Sequence, residues 1–315
     1  MKPLLVLLTV IFSSATFAQK METYYDYRWK ETTPNMARFL GVTEKTDSGW
    51  HRRDYFIQEK LLQMDGTYED STCKKANGHF RYFHPNGNLW SAGNYVHGKR
   101  DGLWVSYHYN GVMDDSISYD KGHKTGNCYG WYENGNMSDS SSWNPDGSGV
   151  AVGWFNNGNP SYAGRYGPGE KMQGKWMYFH RNGKPSAAEM YENGKLIDKQ
   201  YYDEQGNSMD TVNRDRSAQF PGGLKGWQKY LNNKLYFPTQ YKIVNGDRAI
   251  VVVEAIIDEE GNVTDATVST PFFPAFDKIA LEVIRKSPKW EPAVSHNRKL
   301  RYKIKQPVAF TQQTQ

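Results

Sequence analysis

The sequence predicts a mostly β fold, a meander of repeated β-hairpins followed by a small α+β domain, and three observations carry that prediction. Aromatic residues make up 15% of the 315 residues, with 22 Tyr and 10 Trp, and rings suit the pleated, half-buried surface of a sheet. Asn-Gly pairs recur at Asn86-Gly87, Asn110-Gly111, Asn134-Gly135, Asn157-Gly158 and Asn182-Gly183, at spacings of 24, 24, 23 and 25 residues, which is the signature of a repeat array. After Asp210 this frame stops and apolar residues fall at helical spacing instead.

Each repeat is predicted to be one hairpin. A glycine stands nine residues before every turn glycine (Gly78, Gly102, Gly126, Gly149, Gly174), and an aromatic follows it by five (Phe83, Tyr107, Trp131, Trp154, Phe179). A second ring column, Tyr95, Tyr119, Trp143, Tyr166 and Tyr191, lies eight residues after the turn glycines, and Gly98, Gly122, Asp146, Gly169 and Gly194 mark a second turn. Asn-Gly is the favoured pair for a two-residue type I′ turn, in which both residues take positive φ. Such a turn sets Trp104 opposite Ile117 and Tyr119 opposite Gly102, where the ring would cover the glycine. One hairpin is marginal in water, so the unit is written repeatedly and stacked. Weaker copies around Asp65-Gly66 and Gln205-Gly206 set the array at 65–210, with 19–64 as a strand-rich cap on its first edge.

The chain opens with Lys2, an apolar run from Leu4 to Phe12, and Thr16-Phe17-Ala18, the three parts of a signal peptide over 1–18. This nine-residue run falls short of the roughly 20 that span a bilayer. Export follows as the expectation, with a periplasmic protein that is soluble or peripherally attached to the cell envelope. The two cysteines, Cys73 and Cys128, are expected with four strands between them, five spacings or about 24 Å apart, well beyond disulfide reach.

Nothing in the array reads as catalysis. His84, His108 and His180 share one repeat position, but Tyr132 and Phe155 fill it in the other copies, and rings without a ligand atom do not build a metal site. Asp114-Asp115 and Asp139 read as solvated hairpin faces. The expectation is a protein that is not an enzyme, with no cofactor, no metal and no catalytic residues.

From Phe220 the pattern changes to an α+β domain over 217–310. Leu224, Trp227, Leu231 and Leu235 mark a first helix, bracketed by Pro221 and Pro238; Phe276, Ile279, Ala280, Val283 and Ile284 mark a second, ended by Pro288. Two strands flank the Asp258–Gly261 turn, and a last strand runs through RKLRYKIKQPVAF. Residues 217–315 carry the whole formal net charge of +5.

The repeat frame G-x-W-x-x-Y-x-x-x-G followed by Y-x-x-G-K resembles the MORN-repeat variant of bacterial proteins. The second domain resembles the C-terminal domain of TonB, through Phe220-Pro221-Gly222-Gly223, Tyr236-Phe237-Pro238, the Asp258–Gly261 hairpin, Asp277 and Ser287-Pro288-Lys289-Trp290-Glu291-Pro292. Ala293 and Asp247-Arg248 depart from the usual pattern at turns. The resemblance implies structural motif residues at Pro221, Gly222, Gly223, Pro238, Pro288, Lys289, Trp290 and Pro292. It also implies a non-enzymatic, exported TonB-family role, in which an outer-membrane receptor or transporter peptide docks as an added strand and the hairpins are scaffold. Inner-membrane energising proteins are a second implied partner class, and nucleic acid is not implied. The partner-binding residues expected are Arg298, Lys299, Arg301, Lys303 and Lys305, of which Arg301, Lys303 and Lys305 alternate with Leu300, Tyr302 and Ile304 and make one face of the final strand basic. The other reading is an envelope-binding repeat protein whose TonB-like domain is a docking module. Classical TonB carries a membrane helix and a Pro/Lys-rich spacer, and neither is expected here.

Overall fold

The repeated ring and glycine columns become one antiparallel sheet of seventeen strands. The computed structural model describes residues 20–244 and 248–312; the signal segment 1–18 and Asp247 lie outside the described residues. Before the repeats come β1 (Lys20–Tyr25), β2 (Phe39–Thr46), β3 (Gly49–Phe56) and β4 (Leu61–Tyr68). The repeats follow as β5 (Gly78–Phe83), β6 (Leu89–Val96), β7 (Lys99–Tyr107), β8 (Met113–Asp120), β9 (His123–Lys124), β10 (Gly126–Trp131), β11 (Met137–Trp143) and β12 (Gly149–Trp154). Next are β13 (Pro160–Gly167), β14 (Lys171–Phe179), β15 (Pro185–Glu192), β16 (Lys195–Tyr202) and β17 (Ser208–Met209). Neighbours in sequence pair throughout, except that β8 pairs with both β9 and β10.

The Asn-Gly turns differ from expectation. In the second full copy, His108 N–H donates to Val112 O at 2.8 Å and Gly111 N–H donates to His108 O at 2.9 Å. Only Gly111 has positive φ, at 83°. This is a three-residue loop ending in a left-handed glycine, with a bulge, rather than a type I′ pair. The extra loop residue moves the pairing by one position, and the register shift between Ser106 and Tyr107 moves it back. Trp104 therefore still faces Ile117 and Gly102 still faces Tyr119.

The asparagine has a different purpose from the one its φ would have served. Asn110 Oδ1 accepts Val112 N–H at 3.0 Å, while its Nδ2 donates to Glu133 O of the next repeat at 2.8 Å. Asn86, Asn134, Asn157 and Asn182 donate in the same way to Tyr109 O, Asn156 O, Arg181 O and Glu204 O. Type I′ geometry appears at the second turns, where His97-Gly98, Lys121-Gly122 and Asn193-Gly194 pair two positive φ values.

Ring-over-glycine contacts also form, but one strand away from the predicted pair. A Cβ on Gly102 would meet nothing within 4 Å, whereas one on Gly93 would lie 2.3 Å from the Trp104 ring and one on Gly164 2.1 Å from Trp176. Trp104 and Trp176 are the buried centres of the array's two aromatic clusters. Each bonds through Nε1–H to a carbonyl of the strand it covers, Asn94 O and Arg165 O. Cys128 is buried on β10, while Cys73 sits in the loop after β4 with φ of 52° rather than on a strand, and both thiols are free.

The second domain contains α1 (Gly223–Lys234), β18 (Arg248–Ile257), β19 (Val263–Thr270), α2 (Pro274–Arg285), β20 (Ala293–Ser295), β21 (Arg298–Leu300) and β22 (Tyr302–Thr311). Its sheet has β18 between β19 and β22. Alternation along β18 buries Ala249, Val251, Val253, Ala255 and Ile257 with the predicted apolar face of α2. In α1, Trp227 is buried, but Leu224 is 72% exposed and falls outside the packed face. The two separated proline motifs meet: Phe220 packs edge-on against Trp290 at 5.4 Å, and Gln219 bridges Glu291 through the backbone. Gly261 lies so close to Trp290 that a Cβ would stand 2.0 Å from its carbonyl oxygen.

Candidate functional site

The basic stretch expected as one strand is broken at Arg301 into two strands with different partners. Residues 298–300 turn back on β20 as a short hairpin, and β22 begins at Tyr302 and pairs along its length with β18. His296 and Asn297 form the hairpin tip with φ of 51° and 57°, a conformation that His and Asn tolerate better than most residues. The linker supports the other edge, where Arg216 and Val294 exchange backbone hydrogen bonds.

This arm is inserted into the repeat array. The His296 ring stacks on Tyr178 with centroids 3.7 Å apart and planes 4° apart, and its Nδ1 lies 3.0 Å from both Glu189 carboxylate oxygens. Burial acts to raise the Glu189 carboxyl, but hydrogen bonds from His296 and Tyr191 outweigh it and leave it below the usual range. Asn297 Nδ2 donates to Tyr202 O at 2.8 Å. Arg298 is 5% exposed; its Nη1 donates to Ser161 O and to Ser161 Oγ, among the rings of Phe155, Tyr162 and Tyr178. Burial pulls its guanidinium down to about 10, although the neighbouring tyrosines favour its charge, so it is still a cation at neutral pH.

Arg301 continues the seam, with Nη2 2.8 Å from Glu133 of the array and 3.1 Å from Asp265 of β19. Arg181 of the array pairs with Glu259, which is 4% exposed, in the β18–β19 turn. Arg298 and Arg301 both point into the array and make their contacts within the chain. Lys299, Lys303 and Lys305 stay exposed at 55–63% of their side-chain surface. Sequence reasoning could not separate the two groups, because a charged residue in an alternating strand reads the same whether water or another domain faces it.

Lys303 and Lys305 lie on the sheet face opposite the helices, as the alternation predicts, and both reach Glu254 at 2.8 and 3.2 Å. Burial would raise Glu254, but the two ammonium groups hold it below the usual carboxylate range. This face looks across a cavity of about 570 Å³ at the repeats. Three members of the first ring column, Phe83, Tyr107 and Trp131, line the opposite wall with Trp90 and Tyr109.

The histidine column is a brace for that wall. His84 Nε2 lies 2.9 Å from Tyr107 O and His108 Nε2 2.7 Å from Trp131 O, and in the next copy Tyr132 O–H donates to Trp154 O at 2.7 Å. His180 Nε2 makes the same contact with Tyr202 O at 2.9 Å, so Tyr132 replaces His by supplying a ring donor, while Phe155 at this position supplies none. Among the described residues no group of three or more His, Cys, Asp or Glu is placed to hold a metal ion.

Outside the cavity, the outer edge of β22 pairs with no strand among the described residues. Pro307 sits in β22 opposite Val252, which suits an edge strand whose missing N–H points away from the ladder. Residues 235–311 match the family described as Gram-negative bacterial TonB protein C-terminal. The TonB-like match therefore spans the sheet, α2 and the arm, while α1 and the Phe220–Gly223 motif precede it. Residues 76–97 match the MORN repeat variant, which is one hairpin, β5 to β6, of the frame that the structure carries from β5 to β16. No curated protein matches the chain. Among the described residues no helix is long and apolar enough to cross a membrane.

Proposed function

We propose that the protein is an exported, non-enzymatic member of the TonB group that docks an outer-membrane transport partner by strand addition at β22, with the hairpin array as its scaffold. The observation that supports this reading is the unpaired outer edge of β22 in a domain similar to TonB C-terminal. An extended peptide adds to such an edge through backbone hydrogen bonds and is selected by alternate side chains. Lys303 and Lys305 flank that edge and favour an acidic or polar peptide, while Lys299 extends the basic surface towards the arm. Arg298 and Arg301 act in this reading as positioning residues that hold the domain against the array, so the edge is presented at a set angle.

Lys303→Pro removes an edge donor together with the charge, and Lys303→Ala, which removes only the charge, separates the two. Lys303→Pro removes one backbone donor that the Pro307 parity places on the outer side, and it leaves the β18 ladder in place. Full-length protein is used to capture β-barrel receptors from outer-membrane extract, with identification of the captured chain and its periplasmic peptide. The expected result is capture of one transporter by the wild type and its loss in Lys303→Pro at an unchanged melting temperature. Equal capture by both proteins would remove β22 as the docking edge.

A further inference from the structure

The ring wall of the interdomain cavity has features that scaffold packing does not require. Phe83, Tyr107 and Trp131 belong to β5, β7 and β10, so successive rings stand two strands apart. That distance is about 9.6 Å, the length scale of two linked pyranose rings. All three are only half-buried, and Trp90 beside them is 44% exposed. The rungs of the wall are tied together, because the His84 and His108 rings each bond to the backbone of the next rung. Facing it, Thr267, Ser269, Glu254 and Lys303 present hydroxyl, carboxylate and ammonium groups.

The charged groups of the cavity have partners within the chain, and Asp114 lies 3.4 Å from His108. Glu254 takes both Lys303 and Lys305, and Arg301 is shared by Glu133 and Asp265. A ligand need bring no net charge, which disfavours phosphate headgroups, nucleic acid and strongly charged peptides. What fits is a molecule with apolar flat faces on one side, hydroxyl groups on the other, and a repeat matching the rungs. The volume lies within the range of ligand sites, and the lining sets an aromatic wall against polar and charged side chains.

We infer that the cleft between the Phe83–Tyr107–Trp131 ladder and the β18–β22 sheet face binds a neutral oligosaccharide, with sugar rings stacked on the aromatic rungs and hydroxyl groups on Thr267, Ser269 and Glu254. The array is then a glycan reader as well as a scaffold. This does not rest on the docking reading, since the cleft face and the β22 outer edge are different surfaces of the strand.

The test is calorimetric titration of the full-length protein with cellohexaose, maltohexaose and the N-acetylglucosamine hexamer, and with the corresponding disaccharides. At least one hexasaccharide is expected to bind, ten-fold or more tightly than its disaccharide, because only the longer chain spans more than one rung. Trp90→Ala, at an exposed wall position, should weaken binding at least ten-fold without lowering the melting temperature. Ser269→Ala is the second variant and should weaken it less. No binding by any of the three hexasaccharides, equal affinity for long and short chains, or unchanged affinity in Trp90→Ala would each overturn the inference. Titration with neutral peptides or with zwitterionic phosphatidylcholine vesicles that saturates the cleft in place of sugar would overturn it as well.

Discussion

Replacing Arg298 by alanine tests whether the two domains are one mechanical unit. The side chain is 5% exposed, donates to the Ser161 carbonyl and hydroxyl, and lies 5.1–5.9 Å from three aromatic ring centres. Hydrogen bonds from a charged donor contribute about 1.5–3 kcal/mol, and a desolvated cation–π contact about 2 kcal/mol. Against these stands the cost of burying the charge, visible in the depressed guanidinium pKa. The expected net loss is about 3 kcal/mol, including the cavity left among the rings. For a cooperative unit of this size that corresponds to a melting point lower by about 5 °C. Arg298→Met keeps most of the volume without the charge and should lose about 1 kcal/mol or less. Calorimetry reads the melting, and hydrogen exchange at Ser161 and His296 reads the seam directly. A wild-type melting curve retained by Arg298→Ala, with seam protection unchanged, would refute the argument and return Arg298 to the partner-binding surface.

Gly93→Ala should cost about 2–4 kcal/mol, because its Cβ would stand 2.3 Å from the Trp104 ring in a packed cluster; chemical denaturation that matches wild type would mean the ring moves freely. Gly111→Val should cost about 1–2 kcal/mol from positive φ alone, since a Cβ there is 3.9 Å from its nearest neighbour, and an unchanged midpoint would put the strain argument aside. Asp277 is raised to about 6, chiefly by burial, against hydrogen bonds from Phe272 and Phe273 N–H and the charge of Arg38. A carboxyl whose folded pKa exceeds its unfolded one contributes stability at low pH that is lost as pH rises from about 4 to about 6. Glu59, itself raised by burial and in the field of Asp277, adds a slope of the same sign. Asp277→Asn should flatten the wild-type loss over that window by about 1 kcal/mol, read as melting temperature at pH 4.5 and pH 7, and an identical slope in both proteins would exclude Asp277 as its source.

Local chemistry was enough to read the hairpins, their period and their register. The register is the same for either turn type because a three-residue loop and a one-residue bulge cancel, and side-chain alternation registers only the sum. The apolar face of α2 was legible for a similar reason: five residues at helical spacing have one side on which to be buried. Local signals stop at contacts between distant segments. The repeat pattern sets Trp104 opposite Ile117, yet which glycine it covers depends on the neighbouring strand towards which the ring leans. The same limit governed the basic residues near the C-terminus. The sequence by itself determined that Arg298, Lys299, Arg301, Lys303 and Lys305 bear positive charge and that Lys303 and Lys305 share a face. Only the tertiary structure decided that Arg298 and Arg301 face the array while the three lysines face water, because burial of a charge depends on partners such as Ser161 and Glu133, contributed by strands and turns more than a hundred residues away.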